Sequence, residues 1–218
     1  MRNLFSQVTS FMAILVMFTL MSCGGSSGSG STAATKEEPA KEEATEKKSG
    51  GISFTDEEKA ALKDKFFFDE ASGFYSHKAW NKTTPKRRTL TADVNKTGYY
   101  CLVSNYYGAG LNHSKVNVKI DGKTMSTEGI DRKNETEHRK VNDKGGQRWE
   151  INSYTKYRDK GIFDAISKTD GAVMISFVGP DATTKYEEIN STDMEALRDC
   201  AQLSLLMRFE AAAAAAGQ

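Results

Sequence analysis

Apolar and polar positions alternate along much of the chain beyond residue 73, and a period of two marks strands with one buried face. In TLTADV, Leu90, Ala92 and Val94 share one face while Thr89, Thr91 and Asp93 share the other. GYYCLVSNYYG is apolar both ways, with Tyr99, Cys101 and Val103 on one side and Tyr100, Leu102 and Tyr106 on the other, so a central strand is expected. KVNVKIDGKTMST reads as a strand, an Asp121-Gly122 turn and a return strand. RWEINSY continues the rhythm, with Trp149 and Ile151 expected inward. GAVMISFVG is a second strand apolar on both faces, and TKYEEI is its expected hairpin partner across Gly179-Pro180-Asp181. GFYSHKAW is one more strand candidate. The charged, glycine-ended segment 128–147 is expected to be a long exposed loop.

A second rhythm predicts helices. Thr55 and Glu58 stand at capping-box spacing before EEKAALKDK, which predicts a helix from Asp56 to about Lys65. Ile162, Phe163 and Ile166 have helical spacing within DKGIFDAISKTD. Thr192 and Glu195 repeat the capping-box spacing before a long last helix, with Met194, Leu197, Ala201 and Leu205 as its expected buried stripe. Strands do not alternate regularly with helices, so the expected fold is mainly β, a β-sandwich flanked by an N-terminal and a C-terminal helix, over residues 52–218. The order HKAW, SNYYG, IDGK, RWE and a late AI helix resembles uncharacterised exported β-sandwich proteins of bacteria. That resemblance implies no activity.

Residues 1–51 follow neither rhythm. Arg2 supplies a minimal positive start, and FMAILVMFTLM is an apolar run shorter than the about 20 residues a spanning helix wants. That combination describes an export signal over residues 1–22. LMSC, Leu20 to Cys23, resembles the lipobox of bacterial lipoproteins: Leu20, Ser22 and Cys23 match, and Met21 stands where a small residue is often found. The resemblance implies cleavage before Cys23, a diacylglyceryl group on its sulfur and acylation of the new N-terminus. One acyl chain holds a protein only marginally, whereas two or three make a lasting anchor. The alternative is an ordinary secretory signal cut near Ser22, with a soluble product.

From residue 24 the chain becomes GGSSGSGSTAAT and then KEEPAKEEATEKK, a flexible charged linker with nothing to bury. A coil of this length spans roughly 30 Å on average. Gly24 is not the aspartate that favours inner-membrane retention, so the resemblance implies the outer membrane of the bacterial cell envelope, with the membrane itself as first partner.

Charge narrows the functional classes without choosing one. Thirty basic and 29 acidic residues leave a net charge of +1, which gives no basic excess for nucleic acid. His77, His113 and His138 have no metal-ligand spacing and read as surface or capping residues, and neither a metal nor a cofactor is expected. GAGLNH lacks the third glycine of a dinucleotide fingerprint, and nucleophile-elbow, phosphate-loop and C-x-x-C motifs are absent. Asp69 with Glu70, and Glu187 with Glu188, read as solvated surface.

Four aromatics, Trp80, Tyr106, Tyr107 and Trp149, are candidates for stacking on a ligand, against the commoner reading of core residues. Cys101 and Cys200 are candidates for a disulfide in an exported protein, against a pair of buried thiols. The expected function is a lipid-anchored, non-enzymatic binding or structural module for an envelope protein or glycan. A hydrolase acting on cell-wall or surface polysaccharide is the alternative, and it requires a cleft joining a histidine to two separated carboxylates.

Overall fold

The structure, a computed structural model, describes residues 54–80, 86–143 and 145–216. The export signal of residues 1–22, the lipidation candidate Cys23 and the linker lie outside the described residues.

The first helix, α1 (Asp56–Asp64), starts as its sequence predicts. Thr55 Oγ1 accepts the Glu58 amide at 3.2 Å, and a Glu58 carboxylate oxygen accepts the Thr55 amide at 2.8 Å. Asp56, Glu57 and Glu58 place negative charge at the positive helix end. Phe54, just before the cap, packs against the core.

Ten strands follow: β1 (Phe66–Asp69), β2 (Phe74–His77), β3 (Thr89–Asn95), β4 (Tyr100–Gly108), β5 (Lys115–Ile120), β6 (Lys123–Ser126), β7 (His138–Asn142), β8 (Arg148–Thr155), β9 (Val173–Val178) and β10 (Glu187–Glu188). Between β8 and β9 lies α2 (Ile162–Lys168), and the chain closes with α3 (Ser191–Ala216). The strands form two antiparallel sheets, one ordered β1-β2-β3-β4-β8-β7 and the other β10-β9-β5-β6. The fold is therefore mainly β, a sandwich with a helix at each end of the folded region.

Local sequence explains most of the hairpins. The β5–β6 turn has Asp121 at φ 49° and Gly122 at φ 77°, the pair of left-handed residues that a two-residue hairpin requires. The β3–β4 turn uses Gly98 at φ 75°, and the α3 backbone comes so close that a Cβ there would lie 2.3 Å from the Ser204 carbonyl. Ser204 Oγ and Arg208 Nε both donate to the Gly98 carbonyl, at 2.6 and 3.2 Å, so this turn is locked to the helix.

One core fills the space beside the six-stranded sheet. Leu90, Ala92, Val94, Tyr100, Leu102 and Tyr106 turn inward from β3 and β4. The four-stranded sheet covers one part of this face, where Tyr106 packs on Phe177 with ring centroids 5.4 Å apart. Helix α3 lies against β3, with α1 and α2 beside it. Because α3 meets neighbours on several sides, its burial is broader than one stripe: Met194 and Leu197 are buried as expected, but so are Ala196, Cys200, Leu203, Leu206 and Met207, while Ala201 and Leu205 are half-buried.

Four local expectations are corrected, and the cysteines follow the commoner of their two readings. The α3 cap is Asn190, whose Oδ1 accepts the Asp193 amide at 2.9 Å, and Thr192 lies inside the helix. Segment 128–147 contains an edge strand, β7, paired with β8 along its whole length. Trp149 and Ile151 point to the outer face of the sheet, while Glu150, Asn152 and Tyr154 enter the core. The three histidines are buried, at 9 % exposure for His77, 0 % for His113 and 6 % for His138. Cys101 and Cys200 are free thiols. Cys101 alternates with the inward Tyr100 and Leu102 and so faces outward, whereas Cys200 sits within the core on α3, with its Sγ 3.4 Å from the Ala92 carbonyl.

Candidate functional site

The outer face of the six-stranded sheet carries an aromatic stripe. Tyr107 on β4 is the register partner of Trp149 on β8, and Trp149 is the partner of Val141 on β7. The Tyr107 and Trp149 rings tilt at 47° with centroids 5.1 Å apart. Both side chains are half-buried, and Val141 is 41 % exposed. The antiparallel register makes this stripe, because residues directly opposite one another on adjacent strands project to the same face.

Polar groups from two loops edge the stripe. Tyr107 donates its hydroxyl proton to Asp143 at 2.9 Å. The bond to Asp143 is the main reason the Tyr107 phenol holds its proton above the ordinary range, with burial adding to it. Lys86 Nζ lies 5.4 Å from the Trp149 ring centroid and 3.5 Å from Asp143. Aromatic faces with a cation, a carboxylate and a phenol beside them suit a flat or C–H-rich ligand that also carries hydroxyls.

The other two aromatic candidates are not on this surface. Trp80 is 7 % exposed, and its indole N–H donates to Asp193 at 2.9 Å. Asp193 also takes Arg87, Thr89 and Asn190, so Trp80 belongs to a clamp that holds the start of α3. Tyr106 is 4 % exposed, packs on Phe177 and His113, and donates its hydroxyl to the Ala109 carbonyl at 2.9 Å.

A buried polar chain lies behind the stripe, on the inner face of the same strands. Ser104 Oγ is 2.8 Å from His113 Nε2, and His113 Nδ1 is 3.2 Å from Glu150. An ionised Glu150 can only accept, so Nδ1 carries the ring proton and Nε2 accepts from Ser104. Glu150 also accepts the backbone N–H groups of Leu111, Asn112 and His113 at 2.8–2.9 Å. Burial alone would raise its pKa, but the His113 bond and these amides outweigh burial and hold the carboxyl at about 2. Burial likewise keeps His113 neutral, against the pull of Glu150.

This order of hydroxyl, imidazole and carboxylate has the hydrogen-bond directions of an activated nucleophile. Ser104, His113 and Glu150 are nevertheless all 0 % exposed, and the imidazole is enclosed by Tyr106 and Phe177. A nucleophile without room for a substrate performs no acyl transfer, so these residues act as a buried tie that holds the loop between β4 and β5 against the six-stranded sheet.

Of the four aromatics singled out from sequence, the fold thus brings Tyr107 and Trp149 together and sends Trp80 and Tyr106 into the core. Sequence reasoning missed Lys86 and Asp143, whose positions near Trp149 depend on loops with no motif. It also missed Ser104 and Glu150, although alternation in RWEINSY would have found Glu150 had the opposite face been taken as inward. Among the described residues no helix is long and apolar enough to cross a membrane. Comparison of the chain with protein-family models, with curated proteins and with solved structures finds no match.

Proposed function

We propose that the chain is a lipid-anchored protein of the bacterial cell envelope whose folded region is a non-enzymatic binding module for a glycan. The observation that carries the binding reading is the cross-strand Tyr107–Trp149 pair, half-buried on a sheet face and edged by Lys86 and Asp143. Stacking on sugar C–H faces uses such rings, and the flanking polar groups would take hydroxyls. The anchor reading is supported by Leu20, Ser22 and Cys23 at the end of the apolar run FMAILVMFTLM. A flexible linker then lets the module sample a shell around the membrane.

Two experiments test the two halves separately. Titration of soluble cell-wall and surface-polysaccharide fragments, followed by calorimetry, should show saturable binding that Tyr107→Leu or Trp149→Leu weakens at least about tenfold, the scale of losing one desolvated ring contact. Saturable binding unaffected by either substitution would overturn the site. For the anchor, Cys23→Ala should move the protein from the detergent phase to the aqueous phase and remove the lipid mass increment. A wild-type protein with an unmodified, water-soluble N-terminus would overturn it.

A further inference from the structure

Alternate residues of edge strand β7 form a row on the outer face of the six-stranded sheet. Arg139 and Val141 project there, opposite Ile151 and Trp149 of β8. Glu137 extends the row at one end, since its carbonyl accepts the Ser153 amide at 2.9 Å and continues the ladder. Asp143 extends it at the other end, where it accepts the Tyr107 hydroxyl. Arg139 is therefore the diagonal neighbour of Trp149 on one face, roughly 7–8 Å away between Cα atoms, a gap that a long side chain spans. It is exposed.

Both carboxylates of this row are already taken. Glu137 binds Arg158 at 2.8 Å, and Asp143, besides Tyr107, has Lys86 Nζ at 3.5 Å. Arg139 stands between them and makes no hydrogen bond, ion pair or ring contact among the described residues. The rim of the sheet does not neutralise it either. There Arg132, Arg139 and Lys140 line a cleft with a single carboxylate, Glu135. Lys86 Nζ also lies 5.4 Å from the Trp149 ring centroid, but Asp143 offsets its charge. The uncompensated charge beside the ring is therefore that of Arg139.

We propose that the stripe selects an acidic glycan: a hexuronate ring stacks on Trp149 and its carboxylate takes the Arg139 guanidinium. The proposal rests on the glycan reading of the Tyr107–Trp149 pair and names the class of sugar it takes. A hexuronate carries its carboxylate one bond beyond the rim of the pyranose ring, so a ring over Trp149 can turn the acid towards a cation on the neighbouring strand. The guanidinium presents two parallel N–H groups to such a carboxylate. A neutral hexose offers Arg139 only uncharged acceptors, which make the weaker kind of hydrogen bond.

Calorimetric titration of the purified full chain in detergent at neutral pH tests the proposal, with oligomers of glucuronate, galacturonate and mannuronate each set beside its own methyl ester. The ester keeps the ring C–H faces and hydroxyls and removes only the charge. At least one acid should bind at least about tenfold more tightly than its ester, the effect of one charge-assisted pair. Arg139→Gln should abolish that difference by weakening the acid and leaving the ester unchanged. Arg139→Lys, which keeps the charge and loses the fork, should retain part of it. Arg139 is exposed, so neither substitution disturbs the core. Binding of neutral fragments that Trp149→Leu weakens, with no acid held more tightly than its ester, would overturn the acidic specificity and leave the glycan site standing. An acid preference that survives Arg139→Gln would overturn it as well. No saturable binding of acid, ester or neutral fragments would overturn the glycan reading beneath it.

Discussion

On the inner side of β8 stand Glu150, Asn152 and Tyr154, and on the outer side stand Trp149, Ile151 and Ser153. The inner three are all 0 % exposed, although two of them are polar. Trp149, the largest apolar side chain of the strand, is only half-buried. Burial on this strand follows hydrogen-bond satisfaction more closely than hydropathy. A carboxylate that accepts three backbone amides and an imidazole can be buried, because nothing it offers to water is left unmet.

The hardest way to break the contrast is to remove the inner anion. Glu150→Ala strands three amides and His113 in the core, and should cost about 3–5 kcal/mol in a denaturant melt. Acid should act in the same direction. Glu150 titrates at about 2 in the fold against an ordinary value of 4.5, so its stabilisation is complete above about pH 4.5 and is lost as pH falls towards 2. His113, held below its ordinary 6.5, begins the loss earlier as it gains a proton disfavoured by burial. The stability difference between wild type and Glu150→Gln should therefore shrink below pH 4.5. A constant difference down to pH 2 would show that the carboxylate is not the group being titrated.

Ser104→Ala is the next test, since it leaves His113 Nε2 without a donor while removing only one small side chain. A loss of about 1–3 kcal/mol is expected by chemical denaturation, with no change in glycan binding. Tyr107→Leu and Trp149→Leu should show the reverse pattern. Each keeps an apolar side chain on the outer face, so a stability change near 1 kcal/mol is expected beside the loss of binding. Loss of stability on the scale of Glu150→Ala would place the stripe in the core and erase the comparison.

The smallest effect concerns the thiols. Cys101 is half-buried, and burial with the nearby Asp93 charge pushes its pKa up to about 12. Cys200 is fully buried, and burial raises its thiol too. Both should react slowly with a thiol reagent at pH 8 in the native protein and fully after denaturation without reductant. Cys101→Ser should shift stability by no more than about 0.5 kcal/mol. A single disulfide-linked peptide containing both residues would contradict their placement on opposite sides of the sheet.

Local elements were legible wherever the chemistry that makes them lies within a few residues. The Thr55–Glu58 cap, the Asp121-Gly122 hairpin and the Leu90, Ala92, Val94 face each follow from neighbours in sequence, and each stands as expected. β7 was hidden because HRKVN carries no apolar alternation: its strand is made by pairing with β8 and not by burying a face. The α3 cap was misplaced by two residues because Asn190 and Thr192 are both good caps and only one fits the Asp193 clamp.

Dominant strands, helices that open and close the folded region, and stacking rings at Tyr107 and Trp149 are all readable from the amino-acid pattern. Those properties reside in side-chain periodicity and backbone preference, which act over one or two turns of chain. Long-range pairing settles which face of β8 is inside, that Tyr107 meets Trp149 while Trp80 meets Asp193, and that His138 is buried at the head of an otherwise exposed edge strand. Each of those depends on partners tens of residues away, and a polar residue's burial is settled by whether such partners arrive.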